Sequence, residues 1–146
     1  MKNSVIVVLA LLATATLSAQ DLKMTDLPAN LTNNFQKVYP GVTDIEWEMD
    51  GMNYKVEFDE GSNEHEIWYN TNGDIIRMES EMNATQLPTA VASTLRSKYA
   101  DYSIDSIEKI ESAGNTTYKV EIEEGFFTEK TVVFDAKGNV VSEMND

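Results

Sequence analysis

Cysteine is absent from all 146 residues. That excludes a disulfide framework, a thiolate nucleophile, a thiolate metal site and any thiol redox role. A chain this small without disulfides must draw its stability from an apolar core. Histidine occurs once, as His65, so catalysis or metal binding that needs paired imidazoles is excluded as well. Cations are scarce: 11 Lys and Arg stand against 25 Asp and Glu, for a net charge of −14. Nucleic-acid binding is disfavoured, because phosphate contacts need clustered cations. Docking to anionic lipid is disfavoured for the same reason. The acidity would attract cations or a basic surface, although solvation alone is the plainer reading. One long apolar run is present, Val5 to Ala15, preceded by Lys2 and followed by the small residues Thr16, Ser18 and Ala19. This pattern predicts a signal peptide over residues 1–19, too short with its polar flanks to be a membrane span. No Cys stands near the cut to carry a lipid anchor. The mature chain is therefore expected in the periplasm or outside the cell, with no membrane span.

What remains is organised around one alternating stretch, Asn53-Tyr54-Lys55-Val56-Glu57-Phe58-Asp59. It returns as Thr117-Tyr118-Lys119-Val120-Glu121-Ile122-Glu123. In both, Tyr, Val and Phe or Ile share one side, with Lys and Glu on the other. Period two predicts a strand with one buried and one wet face, and the recurrence predicts one unit used twice.

Each half reads in the same order. Leu27-Pro28 precedes Leu31, Phe35, Val38 and Tyr39, an amphipathic helix with Thr25 or Asp26 as its cap, stopped at Pro40-Gly41. Leu87-Pro88 precedes Val91, Leu95 and Tyr99 at the same spacing. Four strands follow each helix, broken at Gly51, Gly61 and Gly73 in the first half and at Gly114, Gly125 and Gly138 in the second. Ile104, Ile107 and Ile110 fall three apart, which predicts a bulge in that strand. The expected fold is α+β: two tandem units of a helix plus four antiparallel strands, residues 20–82 and 83–146. One helix on four strands makes a thin core, so the sheets are expected to join edge to edge with both helices on one face. The other face stays open and polar. Alternation places Lys55, Glu57, Lys119 and Glu121 there, with Trp68, Val133 and Phe127.

The candidate chemistry is sparse. His65 lies between Glu64 and Glu66 on a strand, where neighbouring side chains point the other way, so a surface histidine is the favoured reading over a base or ligand. No nucleophile elbow is present. Asp59 to Glu64 and Asn70 to Asp74 are oxygen-rich loops suited to Ca2+. Both coincide with hairpin turns that need Asn, Asp and Gly for backbone reasons, and from Ile76 onward the second is already apolar strand. No cofactor, metal ligand or catalytic residue is assigned. Trp68 is opposite in parity to Ile67 and Tyr69, which makes it an exposed anchor of the kind interfaces use. The competing reading packs it on the stem of Lys55 or Lys119. Trp47, in step with Ile45 and Met49, is expected in the core.

The doubled order Leu-Pro-x2-(Leu/Val)-x3-(Phe/Leu)-x3-Tyr, Tyr-x-Val-x-(Phe/Ile), Gly-(Asp/Asn)-(Ile/Val)-(Ile/Val), after a leader, resembles the PepSY-like exported proteins, themselves similar to β-lactamase-inhibitor proteins. The resemblance runs from Leu27 to Met144. It implies a tandem helix-on-sheet architecture in the periplasm or outside the cell. The wider PepSY group is associated with peptidase propeptides and restraint of proteases, and the inhibitor proteins bind an enzyme with their open sheet face. Together these give the expectation of an exported, non-catalytic module whose open face holds a protein, such as a secreted peptidase or other hydrolase. The alternative is an acidic envelope protein that binds a small ligand or a cation such as Ca2+.

Overall fold

A computed structural model describes residues 20–125 and 128–146. The expected leader and Phe127 lie outside the described residues. Among the described residues nine strands form one antiparallel sheet in chain order: β1 Gln20–Leu22, β2 Thr43–Asp50, β3 Asn53–Glu60, β4 Asn63–Tyr69, β5 Ile75–Glu81, β6 Ser103–Ser112, β7 Asn115–Glu124, β8 Thr128–Asp135 and β9 Val140–Asn145. Helix α1, Ala29–Val38, precedes β2, and α2, Thr89–Lys98, precedes β6. The sheet is thus continuous from β5 to β6, with Met78 opposite Glu111 and Ser80 opposite Lys109.

Strand β1 corrects the expectation of eight strands. Three residues to which the sequence pattern assigns no element add themselves to the edge of β2, setting Leu22 opposite Trp47. So short a strand has no period to detect, and its side chain on the core side is worth more than its sequence pattern. The helix starts also differ from expectation. Neither Thr25 nor Asp26 caps α1. The chain makes a short 3-10 turn over Met24–Asp26, and Pro28 itself takes the position before the helix with φ −55°. The pyrrolidine ring fixes that angle in advance. Pro88 repeats this with φ −54°, after a second 3-10 turn over Ala84–Gln86.

The bulge expected in β6 falls between Ile104 and Ser106. Strand β2 carries a matching one between Thr43 and Glu46, beside Asp44 at φ 52°. Two-residue loops at Gly51-Met52 and Gly61-Ser62 close β2–β3 and β3–β4 and lock their register.

Register places both helices on one face. Ile67 opposes Met78, Met78 opposes Glu111, and Glu111 opposes Thr116, two residues from Tyr118. Val56 and Val120, the centres of the two alternating stretches, are 0% exposed. Around Val56 gather Leu31, Phe35, Trp47, Phe58, Ile67 and Tyr69; around Val120 gather Val91, Leu95, Ile107, Ile122, Val132 and Phe134. Helix α2 is also pinned to the β8–β9 turn, where Thr94 Oγ1 donates to the Gly138 carbonyl at 2.8 Å.

Candidate functional site: the open face of the sheet

The face opposite the helices carries the even rungs of this ladder. At its centre Lys55 on β3 lies beside Glu48 on β2 and Trp68 on β4, its cross-strand neighbours. The Lys55 ammonium is 3.0 Å from Glu66, 3.3 Å from Glu48 and 3.5 Å from Glu57, with its side chain only 14% exposed. Burial alone would lower its pKa, but the hydrogen bonds and charges of Glu66 and Glu48 outweigh burial and hold it well above the ordinary lysine value.

Trp68 lies on this face, as its parity requires, and it is also packed. Lys55 Nζ sits 5.3 Å from the ring centroid and the Arg77 guanidinium carbon 5.5 Å. The indole N–H donates to Asp50 Oδ2 at 2.8 Å. The Lys55 ammonium over the ring leaves Trp68 on the open face. Arg77 escaped the sequence reading. Its only signal was register, since β4 and β5 must pair for Arg77 to fall opposite Trp68.

In the second half, Lys119 faces Glu108 and Val133 across β7. Its ammonium is 3.1 Å from Glu108 and 3.4 Å from Glu121. Glu121 in turn accepts a hydrogen bond from Ser106 Oγ at 2.8 Å. Val133 opposes Lys119 and Ser142, a small apolar spot among polar neighbours. Lys55, Glu57 and Trp68 form one cluster and Lys119, Glu121 and Val133 a second, separated by β5 and β6.

Acid dominates between and around them. Glu57, Glu64 and Glu66 each bring a carboxylate oxygen within 4.8 Å of the other two. As a cation cage the trio is poor, because Lys55 already pairs with Glu57 and Glu66. Burial first, then Glu57, Glu81, Glu66 and Asp59, raise the Glu64 carboxyl pKa. Burial also raises Glu66, and with Glu79 and Glu57 it outweighs the pull of Lys55. Both partners of the Lys55–Glu66 pair thus shift upward, which favours the charged lysine and disfavours the charged carboxylate. The pair is favourable for the lysine, while the excess of acid around it is not relieved.

The other candidates resolve structurally. His65 points to the helix side and stacks on Phe58, with centroids 5.3 Å apart and planes 11° off parallel. Its Nδ1 is 2.9 Å from Ser80 Oγ and its Nε2 3.7 Å from Glu60, so neither Glu64 nor Glu66 is its partner. The oxygen-rich turn at Asn70 uses its side-chain oxygen on the backbone: Asn70 Oδ1 accepts from the amides of Asn72 at 2.9 Å and Asp74 at 3.0 Å. Asp135 does the same for Lys137 and Asn139.

The sequence model of the family described as "Putative beta-lactamase-inhibitor-like, PepSY-like" matches residues 16–77 and again residues 52–142. The chain belongs to this family. The two matches to one family model fit a tandem repeat. Among solved structures, the PepSY-like chain resembles a BLIP-like protein from Bacteroides fragilis at 26% identity and a TM-score of 0.66, over 82% of this chain and 87% of that one. A DUF2874 family protein from Bacteroides uniformis matches at 16% identity and a TM-score of 0.70, over 82% of this chain and 89% of that one. A Bacteroides eggerthii protein described as "putative periplasmic proteins" matches at 16% identity and a TM-score of 0.71, over 81% and 88% of the two chains. The last two likenesses speak to the fold. No curated protein matches the chain. Among the described residues, no helix is long and apolar enough to cross a membrane.

Proposed function

We propose that this PepSY-like protein is an exported, non-catalytic binding module that holds a protein on the open face of its sheet. The partner in this reading is an exported peptidase or other hydrolase, and binding inhibits it. Residues 1–19 serve as a signal peptide, and residues 20–82 and 83–146 are two copies of one helix-plus-four-strand unit. The contact residues are Lys55, Glu57, Trp68, Lys119, Glu121 and Val133, with Phe127 as a further contact. One observation carries the reading: a broad sheet face that no helix covers among the described residues presents Trp68 at its centre, clamped by Lys55, Arg77 and Asp50. A ring held in one place gives an interface contact area with little entropy left to lose. Membership of an inhibitor-like family and the likeness to a BLIP-like protein support the choice of a protein partner.

The test is capture from periplasm or medium of the native host, followed by an activity assay on the captured enzyme. A stoichiometric hydrolase whose activity falls on adding the module is the expected result. Trp68→Ala with Lys119→Glu should abolish capture, and capture that survives both changes moves the site off this face. Calcium binding is the competing reading. Of the two turns that motivated it, the one at Asn70 spends its side-chain oxygen on backbone amides, so thermal melts should not move with millimolar Ca2+; a clear rise would favour a cation site by mass action.

A further inference from the structure

The strand register sets like charges directly opposite one another on the open face. Glu46 opposes Glu57, Glu57 opposes Glu66, and Glu66 opposes Glu79, a row of carboxylates crossing β2 to β5. A second row sets Asp59 opposite Glu64 on β3 and β4, and Glu81 opposite Glu108 on β5 and β6. Glu64 and Glu81 are themselves adjacent, the Glu64 amide lying 3.4 Å from Glu81 Oε2.

Directly opposed like charges destabilise an antiparallel pair, where opposite charges would stabilise it. The cations of this face do not cancel the effect. Lys55 is taken by Glu48, Glu57 and Glu66, Arg77 by Glu79, and Lys119 by Glu108 and Glu121. Glu46, Glu64 and Glu81 are exposed and, among the described residues, have no ion-pair partner. Simple solubility does not require this arrangement, since the same charges staggered by one rung would keep the protein as soluble with less repulsion. A fold that departs from local consistency in one place does so where an outside group completes it.

We infer that the open face recognises a cationic protein surface, whose Arg or Lys side chains seat between the opposed carboxylates of β2 to β6 around Trp68. This inference rests on the open face being the binding face, and it adds the charge of the partner. The rows would contribute mainly to encounter rate and partner choice, and Trp68 to the dissociation rate. Arginine fits especially well, because a planar guanidinium can bridge two carboxylates and stack on an indole.

The test uses the intact mature protein with two synthetic probes, a peptide of alternating arginine and glycine and its glutamate counterpart. Amide shift mapping at low and high salt locates binding. Two variants lose the same formal charge: Glu46→Gln/Glu64→Gln/Glu81→Gln on the open face, and Asp101→Asn/Glu111→Gln/Glu124→Gln elsewhere. The expected result is shifts centred on β3 to β5, about a tenfold loss of affinity in the open-face triple, and a small change in the other. Equal loss in both variants, or shifts spread over the helix side, overturns the inference, because the acidity is then general solvation. The native partner separates this from the parent reading. If capture is lost with Trp68→Ala but is indifferent to the open-face triple and to salt, the face stands and its cationic preference falls. If capture survives Trp68→Ala as well, both fall.

Discussion

The two halves share a backbone plan and fill it differently. Phe35, Trp47 and Phe58 in the first half stand where the second half has Leu95, Ile107 and Ile122. Phe35 alone meets Tyr39 at 5.4 Å, Trp47 at 5.3 Å and Phe58 at 5.1 Å, two of these edge-on. Among its described residues the second half lacks that knot. It keeps instead a groove of about 360 Å3 lined by Leu95, Tyr99, Tyr102, Ile104 and Ile122. The helix-side rungs differ too. Where the first half places Met78 against its core, the second places Glu143, which accepts from Tyr99 Oη at 2.8 Å and pairs with Lys130 at 2.7 Å. Position in the sheet explains this. Strand β5 is flanked on both sides, whereas β9 is an edge, and an inward-pointing charge there discourages a further strand from adding. The two halves therefore share topology and strand parity, and each fills the plan with side chains suited to its place in the sheet.

The largest effects should test the aromatic knot. Phe35→Ala is expected to cost about 4 kcal/mol, from cavity formation and the loss of three ring contacts, against about 3 kcal/mol for Leu95→Ala. Urea unfolding of the two variants checks the order. Equal costs would mean that the knot adds nothing beyond ordinary burial. The helix-to-turn docking gives the next contrast. A Cβ at Gly138 would stand 2.5 Å from the Ala90 carbonyl oxygen, while one at Gly73 would meet only Asn30 Nδ2 at 3.6 Å. Both have positive φ, 82° and 87°. Gly138→Ala should cost about 3 kcal/mol, through strain plus a backbone clash, and Gly73→Ala about 1–2 kcal/mol through strain alone. Thermal melts that rank them the other way would show that α2 is not pinned at Gly138.

Much of this contrast is written in residue order, because parity survives copying. The alternation around Val56 and Val120 located the core strands, and the parity of Trp68 located its face. The bulge in β6 was legible from three isoleucines set three apart. Other features are not legible, each for a physical reason. Strand β1 is too short to show a period. Pro28 stands at the start of α1 as its position suggests, but no side-chain cap joins it. The carboxylate rows depend on which residues stand opposite, and that follows from loop length. The two-residue loops at Gly51 and Gly61 contain the register: counting outward from them sets Glu57 against Glu66. The partners of His65 were hidden more deeply, since Ser80 lies on another strand.

Titration should separate the halves in a second way. Glu64 and Glu66 have raised pKa values in the fold, burial being the main cause in each. A raised folded value means that protonation favours the native state: the stabilisation is complete below the unfolded glutamate range and is lost as pH rises through the folded pKa. Glu143 and Asp135 are depressed, the first chiefly by the hydrogen bond from Lys130 and the second chiefly by that from Asn139. Their contribution is present above the unfolded carboxylate range and is lost as pH falls through the folded value. Stability should therefore rise slightly as pH falls through the raised pKa values of Glu64 and Glu66, then fall in stronger acid as pH passes the depressed values of Glu143 and Asp135. Carboxyl carbon NMR resolves the parts: Glu64 and Glu66 should titrate above Glu143. The reverse order would remove the electrostatic distinction between the acidic rows and the paired second-half edge.

The smallest effect bears most directly on function. The exposed carboxylates Glu46, Glu64 and Glu81 have no cation of their own among the described residues, so neutralising all three should not weaken the fold. Relief of opposed like charges should raise Tm by about 2–4 °C at low salt, and less at high salt, where screening already supplies the relief. A single change in the second half, Glu121→Gln, should lower Tm slightly, because Glu121 holds Lys119 and Ser106. The opposite signs are the point. A surface selected only for folding would gain nothing from neutralising acids in one half and lose by it in the other. Stability given up on one patch of an otherwise consistent sheet is the usual mark of a surface shaped for something outside the molecule. If both changes lower Tm, the rows are ordinary solvated glutamates, and the case for a cationic partner weakens with them.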